Sequence, residues 1–428
     1  MSQIQHPVDV PKTSGPTPKV AAPITPSQIA IVKSTAPLLK EHGEEITKLF
    51  YGNMLKAHPE LNNIFSTVSQ TSGAQPRALA GAVFAYASYI DDLGKLSSAV
   101  ERIAQKHVSL TVQADQYAIV GEHLIAAVAA VLGDAVTPEV TDAWTAAYGA
   151  LADIFINREK ALYTAFENWQ DWRPFKIQKK VAESSEITSF YLAPEDGKEL
   201  PLFKPGQYVS LRVFVPELGY NQPRQYSLSD APRHDYYRIS VKRDSGQEPG
   251  IPGLISNTLH NNYKEGDTVH LTHPAGEFVV EIQPNETAPI VLISAGVGIT
   301  PMISILNSTI SAGSKRPISW VHGAHSSEVQ AFQDHIKDIC KENPNVQPTI
   351  FRTTVTASEA KGVDYHFDGR VDLDKLDKNR GLFLDNNIAE YYICGPTKFM
   401  KNNENFLLNA GIDPGRVHVE IFGVGDGE

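Results

Sequence analysis

The chain has 428 residues, 42% hydrophobic and 20% charged, which excludes a disordered or fibrous polymer and exceeds what one core serves, so two or three domains are expected. Lys plus Arg number 38 against 49 Asp plus Glu, a net charge of −11, which disfavours nucleic acid or an anionic membrane as the main partner. The two cysteines, Cys340 and Cys394, exclude a disulfide framework and fit a reducing compartment. The longest apolar run, Leu124–Leu132, is too short to span a bilayer.

Residues 1–22 are rich in Pro, Ser, Thr and Lys without apolar period, and read as a disordered tail. They hold Asp9 and no arginine, unlike a mitochondrial presequence, and no signal peptide is expected. A cytoplasmic protein is therefore expected, with mitochondrial import the disfavoured alternative.

Order is expected to begin at Thr25-Pro26-Ser27-Gln28, an N-cap, a first-turn proline and a capping box. From there to Phe166 every regular segment reads as helix. Ile46, Leu49, Phe50 and Met54 form one stripe, and Trp144, Tyr148, Leu151, Phe155, Glu159 and Leu162 form the last. Glu159 lies on that apolar stripe, where a buried carboxylate needs a partner and an exposed one reaches water at the helix end. Val100, Ile103, Ala104 and His107 recur at helical spacing, which points His107 into an apolar interior. A histidine there is either a satisfied core residue or a neutral imidazole ligand to a haem iron.

Between residues 23 and 166 the chain resembles a globin, specifically the globin half of the flavohemoglobins. Lys106-His107 matches the family's proximal motif, which implies His107 as the haem iron ligand. Phe65 in PELNNIF matches the haem-stacking phenylalanine, with Phe50 also expected in the pocket. Tyr51, Gln75 and Leu79 match the distal trio. Tyr117 in DQYAIVGEHL and Glu159 in FINREK match the proximal-side pair. Pro76 is tolerable only near a helix start, where the distal helix should begin.

Helical stripes stop at the linker expected over residues 167–174, whose tryptophans should pack between domains. Residues 175–284 read as short strands, Ile187–Leu192, Tyr208–Val215, Tyr226–Leu228, Tyr237–Lys242 and Thr268–Leu271, punctuated by turns. That pattern predicts a small antiparallel barrel. Inside it, an arginine at Arg224 can neutralise a pyrophosphate, Tyr226 can lie against a flat ring, and Ser227 can hydrogen-bond a ring nitrogen. With Gln225, with Tyr208 in PGQY, and with Gly253 and Ser256 in GLISN, the order and spacing resemble the flavin barrel of the ferredoxin-reductase superfamily. An FAD site is implied.

Residues 285–428 open with the unalternating run Ile290–Ser294, as in a buried parallel strand. It leads into Gly296-Val297-Gly298-Ile299-Thr300-Pro301, and a later strand ends at Cys394-Gly395-Pro396. Strand–helix alternation predicts a doubly wound α/β sheet with its ligand at the strands' carboxyl ends. Both glycine motifs resemble the nicotinamide-binding domain of the same superfamily. Phe422 and Gly423 resemble its terminal flavin-side segment, though Val424-Gly425-Asp426 follows in place of the usual proline and histidine. Ala324-His325-Ser326-Ser327-Glu328 carries no basic residue to hold a 2′-phosphate, so NADH is favoured over NADPH unless Lys398 or Arg352 folds in.

The resemblance covers Thr25 to Gly423. It implies a multidomain oxidoreductase, an all-α globin followed by an antiparallel β-barrel FAD domain and an α/β doubly wound nicotinamide domain. By that resemblance NAD(P)H reduces FAD, FAD reduces haem b, and haem-bound O2 oxidises nitric oxide to nitrate. O2 and nitric oxide are then the small-molecule partners of an expected monomer. A haem gas sensor and a flavohaem reductase acting on hydroperoxides are the alternatives.

Overall fold

The computed structural model describes residues 23–65, 70, 72–166, 169–246, 253–283 and 285–423. The expected tail lies outside them. Three units follow one another, each with its own apolar core.

The first unit is helical: α1 (Pro26–Ala57), α2 (Ala74–Tyr89), α3 (Ser97–Ser109), α4 (Gln116–Leu132) and α5 (Pro138–Thr164). Helix α1 starts as its sequence directs. The Thr25 side chain accepts from the Gln28 N–H, and Gln28 Oε1 accepts from the Thr25 N–H at 2.9 Å. Pro76 falls in the first turn of α2, where its missing N–H would have had no partner. Helix α4 continues into a short turn, and the 20 residues Gln116–Ala135 are long and apolar enough, by length and composition, to cross a membrane. The run Leu124–Leu132 understates that length. Here the helix packs on α1 and α5, with Leu124, Ala127 and Val128 in the core.

The second unit is a six-stranded antiparallel sheet in the order β4-β3-β6-β1-β2-β5, made of β1 (Arg173–Ala182), β2 (Ile187–Pro194), β3 (Tyr208–Val215), β4 (Tyr220–Ser227), β5 (Tyr237–Lys242) and β6 (Thr268–Leu271). Strand β1 begins at Arg173, two residues before the expected barrel start at Phe175, because Arg173 and Pro174 already pair with Leu271 and His270. Strand β4 is longer than the expected Tyr226–Leu228, since its polar start, Tyr220–Arg224, pairs with β3. The first of the two tryptophans belongs to the barrel and not to a seam between domains. Trp169 is 6% exposed and stacks in the barrel core near Phe175 and Tyr237, and the Arg212 guanidinium covers Trp172. Helix α6 (Leu254–Asn262) joins β5 to β6.

The third unit is a parallel sheet in the order β10-β9-β8-β7-β11-β12. Its strands are β7 (Ile290–Ala295), β8 (Ile318–Ala324), β9 (Val346–Arg352), β10 (Phe367–Asp368), β11 (Glu390–Cys394) and β12 (Val417–Glu420). Helices α7 (Ile299–Ser311), α8 (Gln333–Glu342) and α9 (Thr397–Asn409) alternate with them. The sheet order reverses between β7 and β11, and a doubly wound sheet takes its ligand at such a point.

Candidate functional site

Helix α3 holds His107 against two neighbours from other helices. His107 Nδ1 is 2.7 Å from Glu159 Oε1 and 2.9 Å from the Tyr117 hydroxyl, and that hydroxyl donates to the same Glu159 oxygen at 2.5 Å. Glu159 is 3% exposed, so it is a buried, partnered carboxylate and does not reach water at the helix end. Burial and the adjacent carboxylate push the Tyr117 hydroxyl well above the usual phenol range, so it stays a donor. Tyr148 in turn donates to the Tyr117 carbonyl at 2.6 Å. With its proton on Nδ1, facing a carboxylate, the ring leaves Nε2 as an unprotonated lone pair.

A second cluster forms around Tyr51 on α1. The Gln75 amide donates to the Tyr51 hydroxyl at 3.2 Å, and the Phe50 and Phe65 rings stand 4.7 and 5.5 Å away, edge to face. Tyr51 is 5% exposed, and burial pushes its hydroxyl up to about 12, so it is a neutral donor at physiological pH. Leu79 and Phe65 are half-buried against the same core. Among the described residues no group of three or more His, Cys, Asp or Glu side chains could hold a bare metal ion. One imidazole with a free nitrogen, in an apolar helical unit, instead fits an iron whose other ligands come from a macrocycle. The residues present fit haem.

The helix that carries His107 also docks on both reductase units. Lys106 Nζ donates to the Gly423 carbonyl at 3.0 Å, placing that lysine at the end of the nicotinamide unit. Gln105 Oε1 accepts from the Gly276 N–H at 2.9 Å, Thr272 Oγ1 donates to the Ser109 carbonyl at 3.1 Å, and Arg102 pairs with Glu277 at 3.3 Å. A second seam joins the strand bearing Arg224 to the turn bearing Phe65: Asn63 Oδ1 accepts from the Asn221 N–H at 2.8 Å, and Gln222 donates to the Asn62 carbonyl at 3.0 Å. Sequence reading missed Gln105, Asn63, Asn221 and Gln222, because polar residues at a domain seam carry no periodic signal.

In the barrel, Arg224, Gln225, Tyr226 and Ser227 lie along β4. Arg224 donates to the Pro223 carbonyl and Gln225 to Ser210 Oγ, at 2.7 and 3.3 Å. Burial lowers the Arg224 pKa and raises that of Tyr226. Ser227 is 6% exposed, and its hydroxyl makes no hydrogen bond within the protein among the described residues. A near-buried hydroxyl beside an arginine and a tyrosine fits a flavin. Tyr208 packs so closely on Gly276, at φ +113, that a Cβ there would lie 2.9 Å from its ring. Gly253 caps α6, but the space its missing Cβ leaves is filled by Asp244, and the Ser256 hydroxyl donates back to Gly253 O at 3.1 Å. These two shape the loop before they shape a phosphate cradle. Phe422 is 46% exposed beside Gly423.

In the third unit the two glycines of the first motif differ. Gly296 has φ +55 and open space where a Cβ would point, as a ligand-facing turn requires. At Gly298 a Cβ would fall 2.2 Å from the Cys394 carbonyl, so that glycine lets the Cys394-Gly395-Pro396 turn close against the first motif. Cys394 is fully buried, and burial raises its thiol pKa well above normal. Val297, Ile299 and Pro301 surround the start of α7, where Thr300 Oγ1 donates to the Val297 carbonyl.

Residues 48–155 match the globin family model, and residues 292–405 match the oxidoreductase NAD-binding domain model. A flavohemoprotein of Bordetella pertussis is 48% identical over 407 residues, 94% of this chain and 99% of the relative. One of Deinococcus radiodurans is 46% identical over 404 residues, covering 94% of this chain and 97% of its own. The solved flavohemoglobin of Malassezia yamatoensis, described with bound FAD and heme, superposes with a TM-score of 0.80 at 30% identity, covering 94% of this chain and all of that one. The FAD/NAD-binding domain of a nitric oxide dioxygenase from Vibrio cholerae superposes at 0.52, with 34% identity over 59% of this chain and 99% of that domain.

Proposed function

We propose that this chain, which belongs to the flavohemoprotein family, is a nitric oxide dioxygenase that draws its electrons from a nicotinamide cofactor. Its cofactors are haem, FAD and NAD(P)H. Bound, they supply O2 binding and one-electron chemistry at iron, and hydride acceptance at the flavin.

The chain's own residues hold and tune these groups. His107 would hold the haem iron through Nε2, while Glu159 accepts a hydrogen bond from the Nδ1–H and raises the basicity of the ring. Tyr117 fixes the carboxylate that does so. Tyr51, a neutral hydroxyl oriented by Gln75, would donate to a negatively charged ligand in the haem pocket. Leu79, Phe50 and Phe65 exclude water from that side. Arg224, Tyr226 and Ser227 would hold the flavin, the guanidinium neutralising phosphate and the serine hydroxyl donating a hydrogen bond. The open turn at Gly296 and the start of α7 would receive the nicotinamide cofactor's phosphates.

The observation that carries the reading is the position of α3. One helix bears the imidazole and, at the preceding residue, the lysine that touches the end of the nicotinamide unit. A gas sensor has no need of such a junction with a complete reductase. The test is steady-state NADH oxidation with nitric oxide plus O2, against the same assay with an organic hydroperoxide. Faster turnover with nitric oxide, and nitrate as product, are expected. Faster turnover with hydroperoxide would favour the other acceptor.

A further inference from the structure

The carboxyl ends of β8 and β9 hold a charged cluster built around Arg352. Ala324 and Arg352, the last residues of the two strands, are paired in register. Arg352 is 1% exposed. Its guanidinium donates from Nε and Nη2 to Gln330 Oε1, at 3.0 and 2.9 Å, and from Nη2 to Gln333 Oε1 at 2.7 Å. The remaining nitrogen, Nη1, donates to Glu359 Oε1. The second Glu359 oxygen accepts from the Thr356 N–H at 2.6 Å and from the Thr356 hydroxyl at 3.2 Å. The Ser327 side chain also hydrogen-bonds to this carboxylate. A buried guanidinium, two hydroxyls and a backbone N–H thus converge on one anion.

Strand β9 lies two strands from β7 and its open Gly296 turn, about 10 Å at ordinary strand spacing. A dinucleotide laid along the carboxyl edge from Gly296 brings its adenosine ribose over β8 and β9. In such folds this is where an arginine accommodates a 2′-phosphate, or an acidic residue meets the 2′-hydroxyl. Here Arg352 already directs four of its five N–H groups to protein acceptors.

We propose that Glu359 is a built-in substitute for the 2′-phosphate of NADPH: its carboxylate occupies the anion position formed by Arg352, Ser327 and Thr356, and makes this chain select NADH. The proposal rests on the nicotinamide-oxidoreductase reading and adds the residue that sets its cofactor preference. A 2′-phosphate arriving here meets a fixed like charge and finds four of the five Arg352 N–H groups engaged. A 2′-hydroxyl brings no charge and requires no donor to be released.

The test uses the full-length holoprotein and titration calorimetry with 2′,5′-ADP and 5′-AMP. The wild type is expected to bind 2′,5′-ADP no more tightly than 5′-AMP. In Glu359→Gln and Glu359→Ala the freed guanidinium can make charge-assisted bonds to phosphate, and the affinity ratio should move toward 2′,5′-ADP by about tenfold or more. Anaerobic stopped-flow reduction of the flavin should show the same shift from NADH toward NADPH. Tighter 2′,5′-ADP binding by the wild type, or an unmoved ratio in variants that fold, would overturn the proposal. If neither variant folds with flavin bound, Glu359 is a structural partner of Arg352 and the specificity role fails. None of these measurements involves nitric oxide, and a wild type that bound neither nucleotide would contradict the oxidoreductase reading instead.

Discussion

Tyr117, from the start of α4, and Glu159, from the last turns of α5, meet at a 2.5 Å hydrogen bond on the carboxylate oxygen that faces the His107 ring. The two residues are 42 positions apart and belong to different helices, so the fold, not local sequence, sets this geometry. A carboxylate held in place behind an imidazole makes the ring a stronger donor and favours ferric over ferrous iron. Glu159→Gln keeps the shape and removes the charge. The haem reduction potential of that variant should rise, as read by redox titration of the Soret band. An unchanged potential would remove Glu159 from the tuning role.

The Ser227 hydroxyl is nearly buried and makes no hydrogen bond within the protein among the described residues. Placed against a flavin ring it supplies one hydrogen bond, typically worth about 0.5–1.5 kcal/mol. Ser227→Ala should slow anaerobic flavin reduction by NADH roughly threefold to tenfold, with a smaller change in FAD retention. Equal reduction rates in stopped flow would show that the hydroxyl plays no part.

His322, at the core of the parallel sheet, is 1% exposed, with Nδ1 2.8 Å from Ser294 Oγ. Burial, with the nearby Arg352 charge, pushes its ring down to about 3. The unfolded chain binds that proton more readily than the folded one, so this ring's contribution is intact above the unfolded pKa and falls as pH drops from about 6.5 toward 3. In that window His322→Gln should flatten the fall in reductase stability by up to about 1.4 kcal/mol per pH unit, the slope of one proton. The comparison is chemical denaturation of both proteins at several pH values. Parallel slopes would mean that the ring does not titrate on unfolding.

Much of this molecule is legible from its residues. The capping box at Thr25, the helical period through His107 and the unalternating run at Ile290 each follow from local rules, and the structure places helices and a parallel strand there. Periodicity also put Glu159 on an apolar face, but it could not choose between a partnered carboxylate and one reaching water, because the partner lies on another helix. The start of β4 was missed because Tyr220–Arg224 is polar where it meets the globin unit, and buried polar pairing there replaces the apolar alternation that marks a strand. Sequence makes Arg352 one of two basic residues that could reach a 2′-phosphate. Its engagement by Gln330, Gln333 and Glu359 is a tertiary fact that no spacing rule carries. The glycines divide in the same way: the open turn at Gly296 matches its motif, whereas the need for Gly298 arises from Cys394, almost a hundred residues away.

The central claim, that an imidazole-held haem fed by the fused reductase turns over nitric oxide, is tested most directly by one assay on the intact chain. Nitric oxide consumption is followed with an electrode in the presence of NADH and O2, for the wild type and for His107→Ala. The wild type should consume nitric oxide continuously, with NADH oxidised and nitrate formed. His107→Ala should retain FAD and its NADH-driven reduction, yet hold little haem and consume almost no nitric oxide. Equal rates of consumption by the two proteins would contradict the account.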